Sequence, residues 1–224
     1  MNLLAIDTST EKATVAVSAY GQIYHKEQDA HRLHAQLLLP MIDEMMKDAG
    51  IAFNQLDGII FGRGPGSFTG LRIACSVAKA LAYAQNLPLY PVSTLAAIAF
   101  EASQIPAAQF PTTPILAVID ARMNQLYWGE FNDPFYEAQE QVSNAHHIRL
   151  SKEQPTLLAG VGFNTYWDEL PDNVRCLIQD KVLVYPNAIA MINLVQSGLV
   201  KAASAEEALP VYIRNQVTHG EPRG

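Results

Sequence analysis

The chain has 224 residues, 15 Lys+Arg against 22 Asp+Glu, a formal charge of −7, and 49% hydrophobic with 17% charged residues. That balance excludes a disordered chain, and the length suits one large domain or two small lobes with a real core. No apolar run approaches the ~18 residues of a membrane span, and the opening Met1-Asn2-Leu3-Leu4-Ala5-Ile6-Asp7 lacks the basic start of a signal peptide. Two cysteines, Cys75 and Cys176, make no disulfide framework, so a cytoplasmic home is expected. A sequence pI near 5.3 argues against gripping nucleic acid alone, because phosphate neutralisation needs clustered Lys and Arg.

Apolar residues at Leu3–Ile6 predict a strand stopping at Asp7. Ala13, Val15 and Val17 alternate with Thr14, Ala16 and Ser18, and Gly21 then turns the chain into 22–27, which reads as a hairpin. Residues 35–49 predict a helix stopped by Gly50, 58–61 a buried strand, 69–85 a second helix, 89–92 a strand, and 93–102 a third helix capped by Ser93 or Thr94. Three prolines in 104–114 suggest a linker. This divides the chain into an N-terminal lobe (1–103) and a C-terminal lobe (115–224), with the option that the last helix packs back on the first lobe. In the second lobe, 115–120 and 126–131 read as strands separated from the next segment by a turn at 132–134. Residues 157–159 form a strand entering a turn at Gly160-Val161-Gly162, and 188–197 a helix ending at Gly198. Both halves begin with an apolar strand ending in Asp, Ile6-Asp7 and Ile119-Asp120, as a duplicated α/β lobe would.

Four features suggest function. Asp7-Thr8-Ser9-Thr10 is a carboxylate with hydroxyls at a strand-to-turn junction, suited either to a metal-bound water and phosphate or to capping its own turn. The stretch from Gly62 to Arg72 places four glycines between a strand and a helix, suited either to an anion at the helix N-terminus or to a tight junction with Thr69 as N-cap. It has neither the Lys-Ser/Thr of a P-loop nor the third glycine of a dinucleotide fingerprint. The candidate phosphate-loop residues are Asp7, Thr8, Ser9, Gly64, Gly66, Ser67 and Thr69. Arg72, on the first turn where a cation opposes the helix dipole, implies an acidic partner or ligand.

His31-x-x-His34 and His146-His147 lack further metal ligands, and Cys75 lies among apolar neighbours as a core thiol. Finally, apolar residues of helix 35–49 span an arc of about 200°, whereas one core face needs about 100°. Part of that helix is expected either to face a partner or to lie between two layers. Leu38, Met41, Ile42, Met45 and Met46, with Arg72, Ala74 and Ala78 on the next helix, are the candidate interface.

Five segments in order carry a family resemblance: Leu4-Ala-Ile-Asp-Thr-Ser-Thr10, His34-Ala-Gln-Leu-Leu-Leu-Pro40, Gly64-Pro-Gly-Ser-Phe-Thr-Gly-Leu-Arg72, Asp120-Ala-Arg122 with Leu126-Tyr127, and Leu209-Pro210-x-Tyr212-x-Arg214. They resemble the glycoprotease (TsaD-like) family, in its smaller bacterial TsaB (YeaZ) branch. The resemblance implies an α/β actin-like (ASKHA) fold of two related lobes, each a mixed sheet with flanking helices. It implies a non-catalytic subunit in the biosynthesis of threonylcarbamoyladenosine beside the tRNA anticodon. Such a subunit binds and activates TsaD, helps recruit the ATPase TsaE, forms a homodimer when alone, and meets tRNA through the complex. It implies no cofactor of its own, with ATP and metal in the partners. The His-x-x-x-His metal pair of TsaD-like proteins falls on Thr94 and Ile98, and Ile98 cannot ligate. The alternatives are an independent actin-like ATPase or kinase, with Asp7 near a metal and the glycine loop near phosphates, and a peptidase acting on a partner protein.

Overall fold

The computed structural model describes residues 1–30, 33–105, 113–132 and 138–214. His31, most of the expected linker, and the turn at Asp133 and Pro134 lie outside these. The first sheet is built from β1 (Leu3–Asp7), β2 (Lys12–Ala19), β3 (Gln22–Asp29), β4 (Gly58–Gly64) and β5 (Leu89–Ser93), in the order β3-β2-β1-β4-β5. β1 runs antiparallel to β2 (Ile6 opposite Val15) and parallel to β4 (Ile6 opposite Phe61), and β4 runs parallel to β5. The second sheet contains β6 (Ile115–Arg122), β7 (Gln125–Phe131), β8 (Gln141–Ser143), β9 (Thr156–Val161) and β10 (Ile178–Leu183), in the order β10-β9-β6-β7-β8. β6 is antiparallel to β7 and parallel to β9, while β7–β8 is antiparallel and β9–β10 parallel. Strand for strand, the second sheet repeats the first.

Alternation along β1 sorts its side chains to two faces. Leu4 and Ile6 pack with α1 (His34–Asp48) and α2 (Phe68–Gln85), while Leu3 and Ala5 pack with α6 (Ala188–Gln196). On β6, Ile115, Ala117 and Ile119 meet Leu95, Ile98 and Ala99 of α3 (Thr94–Ser103), and Leu116 and Val118 meet Phe163 and Tyr166 of the short α4 (Phe163–Tyr166). A single turn, α5 (Asp172–Arg175), precedes β10. The central helices cross the chain division: α3 comes from the first half and packs on the second sheet, and α6 comes from the second half and packs on the first. The lobes therefore share core, which fixes their relation more firmly than a linker does.

The predicted elements are found with shifted ends. β4 runs on to Gly64, and β9 continues through Gly160, so the turn begins at Gly162, whose φ of 83° is left-handed. β8, β10, α4 and α5 were not anticipated from the sequence.

The candidate interface residues are placed differently from the expectation. Leu38, Met41, Ile42, Met45, Met46, Ala74 and Ala78 are all buried, in one cluster with β1, β2 and β4. The wide arc is taken up within the lobe: α1 packs on β2 and β3 of the first sheet and against α2. Met45→Glu would therefore report on folding rather than on association. The outward apolar side chains near these helices are Leu33, Leu39, Phe68 and Tyr83.

Candidate functional site

Where β1 ends, Asp7 is completely buried. Its Oδ1 accepts the Ser9 backbone N–H at 2.9 Å and the Ser9 hydroxyl at 2.7 Å, while Oδ2 has no partner among the described residues. Gly62 on the neighbouring strand leaves room for that oxygen, since a Cβ there would lie 1.7 Å from Oδ2. Burial pushes the Asp7 carboxyl up to about 6, against the downward pull of the two Ser9 hydrogen bonds.

The glycine loop lies directly on this turn. Ser67 N–H donates to Ser9 O at 2.7 Å, and Thr8 Oγ1 donates to Gly70 O at 2.7 Å. A Cβ on Gly66 would lie 2.5 Å from Ser9 O, and one on Gly70 would lie 1.8 Å from Thr8 O. These glycines permit two backbones to touch. The N-cap of α2 is Ser67, whose hydroxyl accepts from Gly70 N–H, rather than Thr69, which is exposed. Ser67 stands three residues before Gly70, where its oxygen reaches the orphan N–H groups of the first turn.

The second lobe repeats the arrangement at the end of β6. Asp120 Oδ1 accepts the Arg122 N–H at 2.8 Å and the Tyr166 hydroxyl at 3.0 Å. Gly162 crowds Asp120 as Gly62 crowds Asp7, with a Cβ position 2.5 Å from Asp120 Cβ. Between the two turns lies a cleft of 1060 Å³, lined from one lobe by Ser9, Thr10, Ser67 and Thr69 and from the other by Asp120 and Arg122. Of the candidate phosphate-loop residues, Ser9, Gly66, Ser67 and Thr69 reach the cleft wall, whereas Asp7, Thr8 and Gly64 sit behind it. His34 also lines the cleft, with Nε2 donating to Thr10 O at 2.9 Å. Among the described residues, no three His, Cys, Asp or Glu side chains are grouped to hold a metal. Cys75 is buried, and burial raises its thiol pKa.

The arginines resolve individually. Arg63 makes a two-armed pair with Glu140 at 3.0 and 3.1 Å, joining the lobes. Arg122 pairs with Asp120. Arg72, expected to meet an acidic partner or a ligand, stacks 3.7 Å over the Phe68 ring and donates to the Tyr212 hydroxyl at 3.1 Å. A cation–π contact relieves the unfavourable dipole position in place of an acid. Sequence reasoning also missed Glu140 and the placement of the 208–214 segment, because their partners lie far away in the chain.

Two lobes with the same strand order, each carrying at or near the end of its first strand an Asp that receives an N–H two residues on, define the class of two-lobed α/β proteins with the actin-like fold. Residues 17–166 match the family described as "TsaD: tRNA N6-adenosine threonylcarbamoyltransferase". The Haemophilus influenzae "tRNA threonylcarbamoyladenosine biosynthesis protein TsaB" is 35% identical over 97% of this chain and 95% of its own length. Two solved structures are also similar. "YeaZ from Pseudomonas aeruginosa" has a TM-score of 0.84 at 35% identity, covering 94% of this chain and 99% of that one. "An uncharacterized protein with similarity to peptidase YEAZ from Pseudomonas aeruginosa" has 0.86 at 34%, covering 95% and 99%. The chain belongs to the TsaB (YeaZ) branch of the TsaD-like family.

Proposed function

We propose that this chain acts in tRNA threonylcarbamoyladenosine biosynthesis as a non-catalytic partner subunit that binds and activates TsaD and helps recruit TsaE. The name of the full-length Haemophilus influenzae relative supports the pathway. The observation that carries the non-catalytic role is the mutual packing of the glycine loop and the Asp7 turn. Groups that an actin-like ATPase would turn toward phosphate and metal are here spent on each other, and Asp7 lies behind the cleft wall. On α3, the positions that the family resemblance assigns to a metal pair are Thr94 and Ile98, both buried, and Ile98 offers no ligand atom. ATP and metal then belong to the partner proteins, tRNA is met through the assembly, and the chain pairs with itself when alone. Its place is the cytoplasm. Among the described residues, no helix is long and apolar enough to cross a membrane.

The partner surface is assigned to the outer sides of α1 and α2, through the exposed Leu39 (54%) and Tyr83 (84%). Leu39→Glu is expected to weaken binding to TsaD about tenfold or more while leaving unfolding stability within about 0.5 kcal/mol. Titration calorimetry with purified TsaD, alongside urea melts, reads both. Unchanged affinity in Leu39→Glu and in Tyr83→Glu would move the surface elsewhere. ATP turnover by the isolated chain would favour the ATPase reading.

A further inference from the structure

After Ala203, which exchanges both backbone hydrogen bonds with Leu89 of β5, the chain leaves the first sheet and runs toward the cleft. Three contacts hold it to the first lobe. Ala208 is buried with its carbonyl facing the Cys75 thiol, Val211 N–H donates to Arg63 O at 2.7 Å, and Tyr212 packs on Phe68 (ring centroids 5.1 Å) and Arg72. Two residues later Arg214 is on the second lobe. Its Nη2 donates to Gln125 Oε1 at 2.6 Å and to Arg122 O at 3.3 Å. That carbonyl belongs to the β6–β7 turn, where Arg122, Met123 and Asn124 have φ of 61°, 54° and 57°. Left-handed backbone at three successive non-glycine residues is costly and persists only when its surroundings enforce it. Asp120 holds the Arg122 N–H from one side and Arg214 holds its carbonyl from the other.

The segment is nonetheless thinly covered. Leu209 is 61% exposed and Tyr212 42%. Elements with little burial open at low free energy.

We propose that residues 208–214 form a releasable clasp across the interlobe cleft, in which the Tyr212 contact with Phe68 and Arg72 on α2 and the Arg214 grip on the left-handed β6–β7 turn open together. The clasp has two states, seated and released. A ligand or protein that engages Phe68 or Arg72 must displace the Tyr212 ring, and so frees the turn on the opposite wall of the cleft. The coupling runs both ways, as linkage requires. It follows from the chain's own contacts and stands whether or not the partner reading holds.

Hydrogen exchange on the full chain tests it, with three reporter amides: Leu71 on α2, bonded to Ser67 O; Val211, bonded to Arg63 O; and Arg122, bonded to Asp120. Tyr212→Ala, cut at the first lobe, is expected to speed exchange at Arg122 about fivefold or more, and Arg214→Gln, cut at the second lobe, to do the same at Val211 and Leu71. Leu209→Ala is the control and leaves all three unchanged. The proposal is overturned if each substitution affects only the lobe where it was made. Should Tyr212→Ala fail to fold, Arg214→Gln and the milder Tyr212→Phe, which loses only the Arg72 hydrogen bond, decide it from the two ends. An effect in Arg214→Gln confined to the β6–β7 turn would again overturn the clasp.

Discussion

Gly70→Ala is expected to destabilise the chain by about 3 kcal/mol or more, despite giving α2 a better helix former. The added Cβ would stand 1.8 Å from Thr8 O and 2.9 Å from its carbonyl carbon. Neither atom is the mobile end of a side chain, so the glycine loop must lift from the Asp7 turn. Lifting it breaks the Thr8–Gly70 and Ser67–Ser9 hydrogen bonds and opens the environment of Asp7. For a chain of this size the melting temperature should fall by roughly 6–12 °C. Thr69→Ala, one residue away and exposed, should stay within about 0.5 kcal/mol of the parent. A Gly70→Ala protein that melts with the parent would mean that the loop does not rest on the turn.

The second large effect is a pH dependence set by Asp7. Its folded pKa is raised from 3.8 to about 6 by burial. Below about pH 4 the carboxyl is protonated in both folded and unfolded chains. Between about 4 and 6 the unfolded chain has released its proton while the folded chain keeps it. Stability contributed at this group therefore falls as pH rises through that window and is flat above it. The total loss is about 3 kcal/mol. Asp7→Asn should remove this slope, since the amide still accepts both Ser9 hydrogen bonds at its oxygen. At pH 8 it should gain about 1–2 kcal/mol rather than the full loss, because removing the buried charge is favourable but the new NH2 is buried without an acceptor among the described residues. Urea melts at pH 4 and pH 7 check it, and a slope that persists in Asp7→Asn would assign the dependence to another group. The folded Asp7→Asn protein also separates the partner reading from a catalytic one by its activity, because an ATPase or kinase needs the ionised carboxylate.

Much of the fold was legible because it follows local rules. Alternation at Ala13–Val17, the apolar run Leu3–Ile6 and the stops at Gly50 and Gly198 give strands and helices at the observed places. The echo of Ile6-Asp7 in Ile119-Asp120 marks the two equivalent strands. The glycine stretch identified the junction, although the cap expected at Thr69 is made two residues earlier by Ser67. What stayed hidden depends on distant pairs. The apolar arc of α1 does not state how many neighbours it serves. Met41, Met45 and Met46 therefore read either as partner contacts or as buried residues, and sheet and α2 enclose them. Arg72 finds Tyr212 140 positions later, Arg63 finds Glu140 77 positions later, and neither carries a periodicity to announce it. At Asp7 the residues alone left a ligand-facing carboxylate and a cap of its own turn both open, because the loop that seals it lies some sixty residues on.

The central claim is that this chain enables a transferase rather than performing chemistry itself. An omission assay tests it most directly: TsaD, TsaE, a threonylcarbamoyl-adenylate synthase, ATP and unmodified tRNA, with and without the chain, and the modified adenosine measured by mass spectrometry. The expected result is modification that falls to background without the chain and returns in full with either the parent or Asp7→Asn. Equal modification with the chain left out would contradict the account, as would a folded Asp7→Asn protein that fails to restore it.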